Sequence, residues 1–306
     1  MARVLVTGGA GFMGSHLVDA LVGRGHQVRV LDRAPSRWLP PGAEMITGDL
    51  ADDATLAAAV RGVDAVYHLA GFADLNAARQ QPVETARANL LGTLGLLEAM
   101  RAAGVDRFLF ASTVYVYSRE GGFYRCSKQA CESYIEEYAR TFGLRYTILR
   151  YGSLYGPRAD RSNGVYRLLA SAMSEGRIQY TGGADDIRDY IHVEDAARLS
   201  CDLLDDAWIG EHVLLTGPSP TRAGDLFMMF QEILGRTVEV AYQPAGPIGT
   251  SSGHYAVTPY AYTPRPGKKL VSTHYVDMGQ GLLRLVEEVS TALASPGSPP
   301  ADGDRR

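Results

Sequence analysis

Residues 3–14 read RVLVTGGAGFMG. A short apolar run, Arg3–Thr7, passes directly into a turn holding Gly8, Gly9, Gly11 and Gly14, and a helical pattern follows over Ser15–Arg24. Glycine-rich turns join many strands to helices, so such a motif is weak until its context is counted. Here the context is the required one. Gly8 and Gly9 permit a tight turn, Gly11 lets backbone approach a pyrophosphate, and Gly14 lets the helix pack close to the strand. The helix start, with Phe12 and Met13 between the last two glycines, turns unpaired N–H groups toward phosphate oxygens. A second strand, Gln27–Leu31, ends at Asp32. A carboxylate there accepts both hydroxyls of an adenosine ribose and repels a 2′-phosphate, which favours NAD over NADP. Arg33 is the competing signal, because a guanidinium can receive that phosphate.

Outward from this turn, short apolar runs alternate with longer helical patterns. Strands are expected over Glu44–Thr47, Ala65–Leu69, Phe108–Ser112 and Tyr146–Leu149, and helices over Asp53–Val60, Val83–Ala103 and Tyr124–Thr141. Gly25 and Gly104 fall where helices should stop, as left-handed caps. This alternation predicts an α/β protein, a doubly wound parallel sheet with helices on both faces. Beyond Gly156-Pro157 the pattern turns irregular, with helices legible over Val165–Glu175, Val193–Asp205 and Ala223–Leu234. Tyr242–Thr273 is rich in Pro, Gly and Tyr and reads as a packed loop region, and 295–306 (SPGSPPADGDRR) as a disordered tail.

Composition narrows the classes. With 306 residues, 46% hydrophobic and 21% charged, the chain suits one large or two modest globular domains. A net charge of −4 and a pI near 6.0 argue against a nucleic-acid partner, which needs a basic face. Three cysteines, Cys126, Cys131 and Cys201, are too few for a disulfide framework. No Cys/His cluster has metal-ligand spacing, so no metal is expected. The absence of an 18-residue apolar run argues against a membrane span, and the N-terminus lacks the pattern of a signal peptide, so a cytoplasmic location is expected. The basic residues are skewed: 27 arginines against only Lys128, Lys268 and Lys269. A chain that drifts to arginine elsewhere makes each retained lysine worth asking about.

Lys128 stands four residues after Tyr124 in YRCSK. An i,i+4 pair shares a helix face, about 5–6 Å apart at Cβ. A phenol with a pKa near 10 is a poor base at neutral pH, and bringing it to about 7 takes about 4 kcal/mol. A lysine ammonium and an oxidised nicotinamide are the positive charges that supply this. YxxxK alone arises by chance on many helices; its position after the fifth strand raises it. Ser112 and Thr113 sit at that strand's carboxyl end, where open sheets bind ligands, and a hydroxyl there can orient a substrate hydroxyl toward Tyr124. A compact ammonium reaches both a nicotinamide ribose and a phenolate more readily than a broad guanidinium does.

The ordered motifs TGGAGFMG (Thr7–Gly14), GDL (Gly48–Leu50), YHLAG (Tyr67–Gly71), NLLGT (Asn89–Thr93), Ser112-Thr113, Tyr124/Lys128, LRYGSLYGPR (Leu149–Arg158) and RDYIHVEDAA (Arg188–Ala197) span nearly the whole chain. Through them the sequence resembles the extended short-chain dehydrogenase/reductase family, the nucleotide-sugar epimerases and dehydratases. The resemblance implies a Rossmann domain over 1–152 plus about 187–215, and a smaller substrate domain from about 153–186 and 216–294. It implies Asp49 and Leu50 near the adenine. Leu69, Ala70, Gly71, Asn89 and Tyr151 fall around the cofactor, and Thr113, Tyr124 and Lys128 form a catalytic triad. Ser153, Asn163, Tyr180, Arg188 and Arg265 fall on the substrate side, with Arg188 meeting the sugar nucleotide's diphosphate. Ser153 replaces the family's Asn, a shorter side chain for a substrate contact. His192 keeps a plain packing reading, while His254 and the tyrosines of 242–275 either line a sugar pocket or pack on one another. The helices near Val83–Ala103 and Tyr124–Thr141 are those that pair in the family's homodimers.

The family's chemistry begins with oxidation of a sugar hydroxyl, usually at C4. Its 4,6-dehydratases carry an Asp-Glu pair just after the triad Thr, and its decarboxylases a Glu nearby; here those positions hold Val114 and Tyr115. Without an acid–base pair for C5, the reading is a 4-epimerase with NAD, acting on a nucleotide-diphosphate sugar. Dehydration, decarboxylation or net oxidoreduction, with Tyr115 as an unrecognised C5 base, is the alternative, and a non-catalytic dinucleotide sensor a remoter one. Only Val114–Phe123 separates Thr113 from Tyr124, shorter than is usual in the family, which predicts a more open pocket for a sugar with a bulky C5 or C6 substituent.

Overall fold

The computed structural model describes residues 1–118 and 120–243, so Arg265, His254, most of the expected loop region and the tail lie outside the described residues. The elements run β1 (Arg3–Thr7), α1 (Phe12–Gly23), β2 (Gln27–Asp32), β3 (Glu44–Thr47), α2 (Asp53–Val60), β4 (Ala65–His68), α3 (Leu75–Gln80) and α4 (Pro82–Ala86). A π-turn (Arg87–Leu91) leads into α5 (Gly92–Ala103), followed by β5 (Arg107–Thr113), a 3₁₀ turn (Val114–Tyr117), α6 (Gly122–Phe142), β6 (Arg145–Tyr151), β7 (Ser153–Tyr155) and α7 (Gly164–Glu175). Then come β8 (Arg177–Thr181), β9 (Ile187–Arg188), β10 (Tyr190–His192), α8 (Val193–Asp202), β11 (His212–Leu215), β12 (Thr221–Arg222), α9 (Ala223–Leu234) and β13 (Glu239–Gln243).

Seven strands form one parallel sheet in the order β11-β6-β5-β4-β1-β2-β3. Alternation along each strand divides its side chains between two cores. Val4 and Val6 of β1 pack with Leu17 and Leu21 of α1 and Ala197 of α8, whereas Leu5 faces Leu56 of α2, Leu97 of α5 and Ile135 of α6. This is the expected doubly wound Rossmann architecture. A separate small core holds Ala172, Ile178, Phe227 and Phe230, closed by the parallel pair β8–β13.

Differences from expectation have local causes. Gly11 caps α1 directly, so the helix starts three residues before Ser15. Helix α8 stops at Asp202, short of the expected Asp205, because Asp205 instead caps a 3₁₀ turn at Asp206–Trp208, its side chain accepting Ala207 N–H. The helix expected over Val83–Ala103 is interrupted by the π-turn, the kind of bulge that re-aims one side chain, here Asn89. The edge strand β11 and helix α3 were not expected; β11 is fixed by its parallel pairing with β6.

Candidate active site

Strand order reverses between β1 and β4, so the loops leaving their carboxyl ends diverge and open a crevice. A cleft of about 1060 Å³ lies there. One half is built on the glycine-rich turn. Gly8 takes a φ of +74° and donates its N–H to Leu31 O at 2.8 Å. A methyl at Gly14 would lie 2.1 Å from Gly8 O, and one at Gly8 2.6 Å from Ala70 N, so both positions exclude any side chain. No side chain caps α1 at Gly11, and the first-turn residues Phe12, Met13 and Gly14 line the cleft. Asp32 holds Ala10 N–H on Oδ2 at 3.0 Å, which ties the end of β2 to the turn. Arg33 lines the cleft beside Asp32; Asp49 and Leu50 follow β3, and Leu69, Ala70 and Gly71 follow β4. An uncapped helix start beside a carboxylate at a strand end is a donor and acceptor set that fits a dinucleotide's pyrophosphate and ribose.

The last two expected cofactor residues have polar partners within the protein. Asn89 is 2% exposed and does not line the cleft. Its Oδ1 accepts Phe72 N–H at 2.5 Å, and its Nδ2 donates to Phe72 O (3.1 Å) and Ser127 Oγ (2.8 Å). Asn89 therefore clips the loop after β4 to α6 from behind. Tyr151 lines the cleft, but its hydroxyl pairs with Ser200 Oγ at 2.7 Å, and burial pushes this phenol well above its usual range.

In the other half, β5 ends on two hydroxyls with different partners. Ser112 donates to the buried carboxylate of Glu132. Thr113 accepts Tyr115 N–H at 3.2 Å, which leaves its own proton to donate, and it lines the cleft. Gly121 and Gly122, at φ +85° and +53°, turn the chain into α6, so Tyr124 lies in its first turn and Lys128 one turn on. Lys128 is 5% exposed. Its Nζ donates to Ala111 O at 2.8 Å and sits 4.6 Å from the Phe110 ring centre and 5.9 Å from that of Tyr124. Burial pushes the Tyr124 phenol up to about 12, with Cys131 adding to it, and pushes Lys128 down. Such a phenol is no base at neutral pH until positive charge is brought to its oxygen.

Ser153, Asn163, Tyr180 and Arg188 line the remaining wall. Asn163 caps α7 by accepting Tyr166 N–H at 3.1 Å and donates to Leu154 O at 2.8 Å. Arg188, 5% exposed, donates to the Tyr180 hydroxyl at 2.9 Å. His192 accepts Glu194 N–H at the start of α8, in keeping with a packing role.

The loop after β2 carries no motif that marks it as part of the site, yet Arg37 and Trp38 line the cleft. The Trp38 ring centre lies 4.8 Å from the Arg158 guanidinium carbon and 5.3 Å from that of Arg37, and Arg158 donates to Asp19 of α1 at 2.6 Å. The available signal was a lone Trp in a polar loop. Arg158 is also the non-glycine residue found at positive φ (67°) among the described residues, a local strain of the kind that sites retain. Among those residues no group of three His, Cys, Asp or Glu could hold a metal ion, and no helix is long and apolar enough to cross a membrane.

The chain matches the family described as NAD dependent epimerase/dehydratase over residues 4–215. It is 30% identical over 260 residues to a putative UDP-glucose 4-epimerase of Methanocaldococcus jannaschii, covering 78% of this chain and 85% of that one. Its structure resembles that of a Thermus thermophilus UDP-glucose 4-epimerase in complex with NAD, with a TM-score of 0.75 and 30% identity over 87% and 95% of the two chains. It also resembles a dTDP-glucose 4,6-dehydratase of Streptomyces venezuelae with NAD bound, with a TM-score of 0.74 and 26% identity over 95% and 98%.

Proposed function

The chain belongs to the NAD dependent epimerase/dehydratase family, its cofactor is NAD, and we propose that it inverts C4 of a nucleotide-activated sugar. The carrying observation is the state of the cleft's carboxylates. Among the described residues they are Asp32, Asp49, Asp74 and Asp160, and each already accepts a hydrogen bond from backbone of its own loop or a neighbouring turn. Val114, which directly follows Thr113, is buried in the core. Among the described residues no carboxylate pair thus stands ready to remove a C5 proton and expel a C6 hydroxyl, so on this reading the acid–base work falls to Thr113, Tyr124 and Lys128.

NAD would be held by the uncapped start of α1 at residues 11–14 and by Asp32, and would supply a reversible hydride acceptor for C4 of the sugar. Thr113 donates its free proton to orient the sugar, and Tyr124 takes the C4 hydroxyl's proton and later gives it back. Lys128 supplies the charge that makes Tyr124 a base. Arg188, backed by Tyr180, holds the diphosphate through a guanidinium's forked donors. The short connection between Thr113 and Tyr124 supports a sugar with a bulky C5 or C6 substituent. Tyr115, which lines the cleft, favours one second reading, a dehydratase or decarboxylase in which it removes the C5 proton.

Incubating the protein with nucleotide hexoses, uronates, aminosugars and heptoses in deuterated water, followed by NMR, separates these readings. A C4-inverted product without deuterium at C5 is expected, with bulkier sugars turned over fastest. Deuterium at C5 would sink the 4-epimerase. Equal turnover of a plain hexose would sink the bulky substrate.

A homodimer belongs to the same proposal. Val83 of α4, Leu91 of the π-turn, and Tyr134 and Phe142 of α6 are large apolar side chains at 62, 59, 46 and 56% exposure. Light scattering is expected to give twice the chain mass of 33.0 kDa, and a monomer at micromolar concentration counts against it.

A further inference from the structure

Glu132 is 6% exposed, one turn beyond Lys128 on α6, and the acid–base proposal above leaves it without a task. Its carboxylate accepts from Ser112 Oγ, and Arg150 of β6 grips it at both oxygens, Nε to Oε1 at 3.1 Å and Nη2 to Oε2 at 2.6 Å. The same guanidinium donates to the Tyr117 hydroxyl and lies 4.6 Å over the Tyr117 ring. One buried ion pair therefore joins the helix carrying Tyr124 and Lys128, the strand ending in Thr113, and the turn just after Thr113. A network this close to the cleft is more than a stability device: a buried pair between complementary charges commonly gains little over an apolar one, so what it fixes is geometry and field.

We propose that Glu132 is a positioning residue. Its carboxylate sets α6 against β5 and places a negative charge one turn from Lys128, which keeps that side chain an ammonium directed at Tyr124. This rests on the assignment of Lys128 as the charge that activates Tyr124. The groups facing Lys128 are Tyr124, Cys131 and Glu132 from α6, His68 from β4, the Ala111 carbonyl and Phe110 ring from β5, and Arg150 from β6 beyond Glu132. His68 is fully buried, with a pKa pushed down to about 3, so it carries no charge at neutral pH. Those facing Glu132 are Arg150 and Tyr146 from β6, Ser112, Tyr117, and His212 of β11, whose Nδ1 is 3.9 Å away and whose Nε2 lies 3.1 Å from Glu136. Within this set, burial pulls the Lys128 charge down, while Cys131 and Glu132 hold it up.

The chain's three lysines make a direct test possible. Protein labelled with carbon-13 at lysine Cε gives three signals, and Lys128→Met assigns the one of interest. Glu132→Gln leaves Arg150 uncompensated, so the Lys128 titration is expected to move to lower pH, by roughly half a unit or more. Arg150→Gln leaves Glu132 unpaired, and the titration is expected to move to higher pH. Opposite shifts are the signature, since mere loosening of the helix moves both variants alike. An unmoved Lys128, or a shift of the same sign in both, overturns the proposal. Should Glu132→Gln fail to fold, Glu132→Asp, which retracts the charge by one methylene, is expected to move Lys128 a smaller distance downward, and no movement there is equally fatal. The readout needs no substrate, so a protein lacking epimerase activity but showing opposite shifts would refute the proposed reaction and leave Glu132's role standing.

Discussion

Tyr124→Phe is expected to lower turnover about a thousandfold or more while leaving the fold and the affinity for NAD unchanged. Phenylalanine keeps the ring and its packing and removes only the hydroxyl, so the loss isolates the acid–base step. The size of the effect follows from how far the phenol must be brought. Burial holds Tyr124 at about 12, and a base useful near pH 7 needs about 7 kcal/mol of preferential stabilisation of the phenolate. A lysine ammonium 5.9 Å from the ring centre contributes about 3 kcal/mol at an effective dielectric constant near 20. Tyr124 also sits in the first turn of α6, where no side chain caps the helix, and the helix end adds about 0.3–1 kcal/mol. On the proposed mechanism the rest would come from the positive charge of oxidised NAD, so the hydroxyl is expected to act as a base only with the cofactor in place. Turnover measured by NMR or a coupled assay, alongside NAD binding by calorimetry, checks this. A Phe variant retaining a tenth of wild-type turnover would show that another group takes the proton.

How much of this was legible beforehand depended on the range of the signal. Short-range patterns carried the sheet: Arg3–Thr7, Glu44–Thr47 and Asp53–Val60 occupy the expected residues because local apolar periodicity and turn chemistry alone define them. By contrast α3, β9 and β11 have no local pattern to mark them; β9 and β11 are fixed by pairing with β12 and β6. The same division runs through the site. That the glycines and the Tyr–Lys pair line one cleft was legible because both are patterns of spacing along the chain. That Asn89 stands behind the cleft lining was not legible, because its place is set by hydrogen bonds with Phe72 and Ser127 from other elements. Trp38 and Arg158 lie far apart in sequence and meet only in the fold, as do Glu132 and Arg150. Long-range polar pairs leave almost no trace in one sequence, since either partner alone looks like an ordinary surface residue.

Lys128→Met and Lys128→Arg are expected to fail in different ways, and the contrast tests whether charge or geometry explains why this arginine-rich chain has kept a lysine there. The ammonium favours the phenolate, so with it the Tyr124 pKa is lower than without it. Methionine removes the charge, and the acid limb of kcat/KM, which requires the tyrosinate, moves to higher pH by about two units. At pH 7 that appears as about a hundredfold loss, recovered in part as pH rises. A variant that had simply lost its packing would not recover. Arginine keeps a positive charge at every accessible pH, so the acid limb is expected to stay near its wild-type position. Its planar head is too broad for a 5% exposed site where one nitrogen reaches Ala111 O at 2.8 Å and lies 4.6 Å over Phe110, so the rate falls tenfold or more at all pH values. Profiles of kcat/KM for both variants, with NAD content and thermal melting as controls, distinguish the outcomes. An arginine variant as active as wild type would mean that charge alone is needed, and that Lys128 survived among 27 arginines without a structural reason.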